Sequence, residues 1–520
     1  MTLKIPAPAA PEIVQKLIDI VGENNVSVSP VKRLLNSRDM FPVSLMHHAE
    51  GVVEYFADVV VWPENAEHVA EVVKLAKSIR MPVIPFGAGS GVCGGVLPIH
   101  GGISLDLKKM NGILDVSAEN MTVVAESGIM GQTFEMELNR RGYTLGHFPS
   151  SIYCSTLGGW AAARSAGQLS SKYGKIEDIV MGLEFVSPSG DITQISPVPG
   201  YDSGPDWKQV LIGSEGTLGV ITKVTCRIHP NPESRRFVGF NFPDAPSGTQ
   251  AMRLIMQHGL RPASMRLYDE LDTMLVGSKG AEESAGVGLA DFLPVTQIET
   301  RLRTIAPGFF NKAQRFVARW SEVANLLEKF SKDGCLLILM FEGQEAIAEY
   351  EYETAVRLCE KLGGKNCGPD PALKWFKNRY HVSYKMSKVF YNGAFVDTIE
   401  VASTWKKLIP LFEEIRDAIR PRAFLMAHFS HSYDDGCSIY FTFLSSAKNS
   451  IEAEKAHRKI WRLAMEATLR VGGTISHHHG IGLSKAEYMV EQHGDLMNIF
   501  RAVKDAGDPD NIMNPGKMGL

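Results

Sequence analysis

The sequence predicts an α+β protein of two lobes, and three observations carry that prediction. At 520 residues the chain is longer than a single hydrophobic core supports. Short β-branched runs interleave with segments whose apolar residues recur at helical spacing. Near Pro230-Asn231-Pro232 the glycine density drops, and long helices then alternate with strands, which places a domain boundary there. The expected parts are a helical, proline-interrupted lead-in over 1–50, a first domain over 51–232, a second over 233–475, and a C-terminal segment over 476–520.

Within the first domain, Asp58-Val59-Val60-Val61-Trp62 reads as a buried strand. Pro63 and Glu64 then open a helix with Ala66, Val69, Val73 and Ala76 on one face. A second strand, Met81 to Pro85, runs straight into a glycine-rich loop. Further strands are expected at Ile103 to Leu107, Leu114 to Val116 and Met121 to Glu126, followed by a helix from Gly131 to Arg141. No repeat or low-complexity segment is visible.

Composition narrows the function classes. Hydrophobic residues make up 44% and charged residues 22%, ordinary for a globular protein, and the net charge of -4 gives no reason to expect a nucleic-acid partner. The seven cysteines form no CxxC pair, which suggests reduced thiols in a cytosolic protein. The N-terminus lacks the charged-then-apolar order of a secretory signal, and no apolar run approaches the roughly 20 residues that span a bilayer. The C-terminus is not a peroxisomal address. A cytoplasmic homodimer is expected, with peripheral membrane contact an open alternative.

Three glycine-dense segments point to a phosphate-bearing cofactor. The first, Pro85 to Gly95, contains Gly87-Ala88-Gly89-Ser90-Gly91. The second runs from Pro149-Ser150-Ser151 through Ser155-Thr156-Leu157-Gly158-Gly159-Trp160 to Arg164-Ser165-Ala166-Gly167. The third is Gly213-Ser214-Glu215-Gly216-Thr217-Leu218-Gly219-Val220-Ile221-Thr222. Glycine lets backbone approach a ligand closely and frees N–H groups to face phosphate oxygens. Any one segment could be a tight turn, and the acidic residue of a Rossmann unit is missing. The order and spacing of all three argue for a cofactor site.

Together these segments resemble the vanillyl-alcohol oxidase and p-cresol methylhydroxylase flavoproteins, from about residue 43 to Leu520. The resemblance implies an FAD-binding domain of the p-cresol methylhydroxylase type with an α+β cap for substrate, and a C-terminal segment that returns to the flavin. It implies that Pro85, Gly87, Ala88, Gly89, Ser90 and Gly91 line the diphosphate. Pro149, Ser150, Ser151, Thr156, Gly158, Gly159 and Ser165 would line diphosphate, ribityl chain and ring, and Glu215, Gly219 and Ile221 would support the adenine side. Some members tether the flavin to a histidine of the first loop. No histidine occurs between Pro85 and Gly95, so FAD is expected to bind non-covalently.

The candidate chemistry lies further on. Ser476-His477-His478-His479-Gly480-Ile481-Gly482 follows a long helical stretch from Ile451 to Val471 that ends at Gly472-Gly473. Histidine can take a proton near neutral pH, hold an anion or bind a metal; the bland alternative is a surface cluster. Cys437 to Phe443 reads as a strand with Ile439, Phe441 and Phe443 on one face and Tyr440 and Thr442 on the other. Tyr440 is either core with a satisfied hydroxyl or a site residue. Arg266, in an otherwise apolar stretch, is either an ion-pair partner or an anion clamp.

These features resemble the alkylglycerone-phosphate synthases, also called alkyldihydroxyacetonephosphate synthases, with their Ile-Tyr-Phe strand, triple histidine before Gly-x-Gly, and arginine in an Ala-Ser-x-Arg-Leu context. Gly146-His147 and Tyr173-Gly-Lys-Ile-Glu-Asp point the same way. The resemblance implies exchange of the acyl chain of an acyl-dihydroxyacetone phosphate for a long-chain alcohol, with flavin as a covalent handle and no net oxidation. His478 would take the C1 proton, His477 and His479 would shape the site, Tyr440 would hydrogen-bond or protonate the departing carboxylate, and Arg266 would orient the substrate. The alternative is an FAD-dependent dehydrogenase or oxidase of a 2-hydroxy acid or alcohol.

Two departures stand out. The arginine that the family carries on a segment before Glu-Thr-Ser-Ala-Pro-Trp has no counterpart in Tyr384-Lys-Met-Ser-Lys, where either Lys385 or Lys388 stands in or the substrate carries no phosphate. His428 and His431 are extra histidines. No metal is expected, but with His478 these two are the candidates for a metal site.

Overall fold

The computed structural model describes residues 5–199, 204–277, 334–380, 394–447 and 449–520. Its chain groups into two compact units. One comprises Met1–Gly167, Tyr173–Asn231 and His478–Leu520, and the other Gln168–Lys172 and Pro232–His477.

The first unit holds two main sheets. Strands β1 (Val26–Ser27), β2 (Val59–Val61), β3 (Val83–Phe86) and β4 (Ile103–Asp106) form a small sheet in the order β1-β2-β4-β3, with β2, β4 and β3 parallel. Consecutive valines in β2 are buried on both faces, as parallel strands require. The helix that covers them spans Ala66–Ile79 rather than starting at Pro63. Asn65 caps it by accepting the His68 N–H at 2.8 Å, so the first turn begins after the cap. Val69 and Val73 of that helix, Leu17 of the lead-in helix Pro11–Val21, and Ile512 and Met513 near the C-terminus share one core.

Strands β5 (Ile113–Ser117), β6 (Thr122–Glu126), β8 (Val180–Val186), β9 (Ile192–Ile195) and β10 (Val220–Arg227) make the second sheet, antiparallel, in the order β5-β6-β10-β8-β9. Tyr143–Thr144 (β7) and His229–Pro230 (β11) pair separately.

The second unit is built on one antiparallel sheet of seven strands, β12 (Ser234–Phe242), β13 (Ser264–Tyr268), β14 (Cys335–Gly343), β15 (Lys365–Gly368), β16 (Ala394–Thr404), β17 (Phe424–Ser432) and β18 (Gly436–Ser446). Its order is β15-β12-β14-β13-β17-β18-β16. Period-2 alternation divides its residues. Ile439, Phe441 and Phe443 of β18 are fully buried, and Phe412 of the helix Trp405–Ile419 packs on Phe429 and Phe441. The opposite face carries Tyr440 and its neighbours. No helix among the described residues is long and apolar enough to cross a membrane.

Candidate functional site

In the first unit the chain leaves β3 at Phe86 and enters the loop 87–95, whose Gly91 carbonyl accepts the Met40 N–H and whose Cys93 carbonyl accepts those of Leu483 and Ser484. The N–H groups of Ala88, Gly89, Ser90, Gly91 and Val92 donate to no acceptor among the described residues. Five donors in succession without protein acceptors are what an anionic diphosphate needs. Two glycines are required by geometry. A Cβ on Gly87 would lie 2.4 Å from Thr156 Oγ1, and Gly89 has φ +65° with the Arg38 carbonyl 2.9 Å from where its Cβ would be. Thr156 thereby meets the first glycine segment, and its hydroxyl also accepts the Gly159 N–H at 3.3 Å at the start of the helix Leu157–Ala162. These residues fit a flavin dinucleotide.

Ser165, at the end of the second segment, bonds through its hydroxyl to His147 Nε2 at 3.2 Å. His147 is wholly buried beside the Trp160 ring, and burial pushes it down to about 3, so the imidazole is neutral at physiological pH. Pro149 accepts the Ile152 N–H through its carbonyl, closing the turn that contains Ser150 and Ser151. Gly219 (φ +144°) has the Phe185 ring where a Cβ would stand, and Ile221 is buried in β10.

Glu215 does something sequence reasoning missed. Its carboxylate accepts the N–H groups of Ile481 (2.5 Å) and Gly482 (2.8 Å), and so fixes the loop after the triple histidine. A charge cluster extends this brace. Asp39 accepts from Phe41 N–H at 3.0 Å and Gly94 N–H at 2.9 Å, and burial pushes its carboxyl up to about 7. Lys517, fully buried, donates to the Leu97 carbonyl at 2.7 Å, and burial lowers it to about 8 against the pull of Glu215 and Asp39. Asn514 donates to the carbonyls of Gly95 and Glu215. The only sequence hint for these last two was the turn-like Asn514-Pro-Gly-Lys517.

In the second unit, direct cross-strand pairing sets Tyr268 of β13 opposite His428 of β17, His428 opposite Tyr440 of β18, and Tyr440 opposite Glu400 of β16. Four polar side chains thus stand in one row on one sheet face. The His428 and Tyr440 rings stack at 4.8 Å and 18°. Burial pushes the Tyr440 hydroxyl up to about 12, with Thr398 and the Arg266 charge opposing, so it is a proton donor at any physiological pH. Arg266 stands two residues before Tyr268, its guanidinium 5.8 Å from the ring centres of both Tyr268 and Trp375. Among the described residues no carboxylate lies within ion-pair distance of it. Asp272, which sequence reasoning did not pick out, lies in the helix Glu270–Gly277, and burial raises it to about 7 while Arg266 opposes.

The three histidines divide between the units: His477 closes the second, and His478 and His479 open the last segment of the first. His477 Nε2 pairs with the Tyr433 hydroxyl at 2.8 Å, its N–H donates to buried Glu400, and its ring is 5.2 Å from that of His431. The rings of His478 and His479 meet edge to face at 4.6 Å.

The two extra histidines have separate partners. His428 Nδ1 is 3.6 Å from Asp272, whereas His431 sits on a β-bulge at φ +54° and bonds to the Ser170 hydroxyl at 2.7 Å. Among the described residues no three His, Cys, Asp or Glu side chains are grouped to hold a metal. Lys385 and Lys388 lie outside the described residues.

Comparison with known proteins agrees with this cradle. Residues 57–196 match the FAD binding domain model, and residues 231–518 match that of the FAD linked oxidases' C-terminal domain. The chain is 29% identical to alkyldihydroxyacetonephosphate synthase of Caenorhabditis elegans over 522 residues, covering 97% of this chain and 83% of that protein. It is 30% identical to the FAD-linked oxidoreductase YgcU of Escherichia coli (strain K12) over 97% of both chains. A solved alkyldihydroxyacetonephosphate synthase superposes with a TM-score of 0.78 at 26% identity, covering 99% of this chain and 88% of that one. The fold is also that of p-cresol methylhydroxylase, at a TM-score of 0.71 and 18% identity, with 98% and 96% covered. The C-terminal domain model matches more than half of the chain and the FAD binding domain model matches the part that holds the glycine-rich loop, so this protein is a member of the FAD-linked oxidases, with FAD as its cofactor.

Proposed function

We propose that this enzyme exchanges the acyl chain of an acyl-dihydroxyacetone phosphate for a long-chain alcohol, as a cytoplasmic homodimer holding FAD non-covalently. The observation that carries the reading is Arg266, a half-buried cation without a carboxylate partner among the described residues, on the same sheet face as Tyr440. A cation kept partly from water and met by the Tyr268 hydroxyl and two aromatic rings, with no carboxylate in ion-pair contact, is poised to take a ligand anion. FAD, when bound, would supply an electrophilic ring that takes up and returns an electron pair. Arg266 would hold the anionic substrate by charge-assisted hydrogen bonds. Tyr440, kept protonated by burial, would donate to the departing carboxylate. His478 would take the C1 proton, with His477 and His479 shaping the site.

A second reading, oxidation of a 2-hydroxy acid or alcohol, draws on the similarity to an FAD-linked oxidoreductase over nearly the whole chain. Arg266 would hold a carboxylate equally well. One experiment separates them: holoenzyme is given palmitoyl-dihydroxyacetone phosphate and radiolabelled hexadecanol with no electron acceptor. Labelled ether lipid is the expected product. No ether, together with dye reduction driven by glycolate or lactate, would replace the first reading by the second.

A further inference from the structure

His428 is used neither by the flavin cradle nor by the roles assigned above, yet it stands at the centre of the row. Its ring is stacked on Tyr440, and its other ring neighbour is Tyr268, at 6.0 Å. The Nε2 atom is buried and has no hydrogen-bond partner among the described residues. A buried imidazole nitrogen without a partner is uncommon and asks for a bound group. The charged and titratable groups facing the ring are Arg266 and Tyr268 from β13, Asp272 from the helix Glu270–Gly277, and Tyr440 from β18.

We propose that His428, with its tautomer set by Asp272, accepts the O–H of the alcohol that the enzyme uses, an assignment that rests on the alcohol-using reading given above. The reasoning runs from the other ring nitrogen. Nδ1 is 3.6 Å from Asp272 Oδ2, just outside hydrogen-bonding distance, so above about pH 7, where Asp272 is ionised, its carboxylate draws the single proton of a neutral imidazole to Nδ1. Burial and the nearby Arg266 charge keep the ring neutral. Nε2 is then an acceptor, and it selects a ligand that brings a donor: a long-chain alcohol, or the hydroxyl of a 2-hydroxy acid. Either hydroxyl would meet His428 beside the cation that holds the anionic group. No metal is invoked, since Nε2 lacks two further ligands among the described residues.

Holoenzyme carrying ¹⁵N-histidine tests this directly, the His428 signal being the one absent from His428→Gln. At a pH above that at which Asp272 ionises, Nε2 is expected at the position of an unprotonated, metal-free nitrogen. It should shift on addition of 1-octanol or glycolate, and stay in place with their O-methyl ethers, octyl methyl ether and methoxyacetate. In Asp272→Ala the proton should move to Nε2. In turnover, His428→Phe, which keeps the stack on Tyr440, should raise KM for the alcohol about tenfold, the worth of one hydrogen bond, and leave FAD bound. A protonated or metal-bound Nε2 in the unaltered protein, or equal responses to hydroxyl probe and ether, overturns the proposal. If ether synthesis fails but a hydroxyl probe still shifts Nε2, the proposed reaction falls and the assignment of His428 stands.

Discussion

At the scale of single residues, charge and burial decide what each side chain can do. Arg266→Lys keeps the charge and loses the planar fork, so KM for the anionic substrate should rise at least about tenfold with FAD content unchanged. Tyr440→Phe should lower kcat and leave KM nearly untouched, because the donated proton matters in the reaction more than in binding. Loss of FAD from either variant would show that these residues serve folding instead. Asp272 gives a pH signature. Its folded value near 7 lies above the ordinary 3.8, so its contribution to stability is present in full below about 4 and is lost as pH rises through about 7. The melting temperature should therefore fall between pH 5 and pH 7.5, and fall less in Asp272→Asn. Equal slopes in the two proteins would mean that Asp272 is ionised throughout.

At the scale of elements, the sequence was most legible where periodicity is strong. The strand at Val59–Val61, the helix through Val69 and Val73, and the face division of β18 all follow from apolar spacing alone. Boundaries were less legible: proline at position 63 suggested a helix start, but the Asn65 cap sets it at Ala66. The bulge at His431 was invisible, since a residue at φ +54° depends on β18 across the ladder and leaves no local sequence mark. The junction of β3 with its loop offers a clean test. Gly87→Ala places a methyl 2.4 Å from Thr156 Oγ1 and should weaken FAD binding by at least about tenfold, read by flavin fluorescence; unchanged affinity would mean the loop can shift at little cost.

At the scale of the whole molecule, both units are assembled from discontinuous segments, so residues near the C-terminus complete a core begun near the N-terminus. Ile512 and Met513 are buried against β3 and its neighbours, and Lys517 lies between the carboxylates that brace the flavin loops. Removing residues 508–520 should cost more than about 3 kcal/mol from lost core alone and leave little bound FAD, measured by flavin absorbance per chain. A truncated chain with full FAD would sink this account of the C-terminal segment.

The sequence by itself determined the two-lobed α+β architecture and a phosphate-binding cofactor site, because glycine positions and hydrophobic period are local properties that the backbone must obey wherever the segment goes, and the resemblance of its three glycine segments named the cofactor as FAD. It also pointed to Arg266, Tyr440 and the triple histidine through a resemblance carried by short motifs. Only the tertiary structure decided who their neighbours are. That Tyr268, His428, Tyr440 and Glu400 form one row depends on the register of strands far apart in the chain. That Glu215 braces the loop after the histidines, and that Asp272 faces His428, depends on long-range approach, whose energetics no local pattern records.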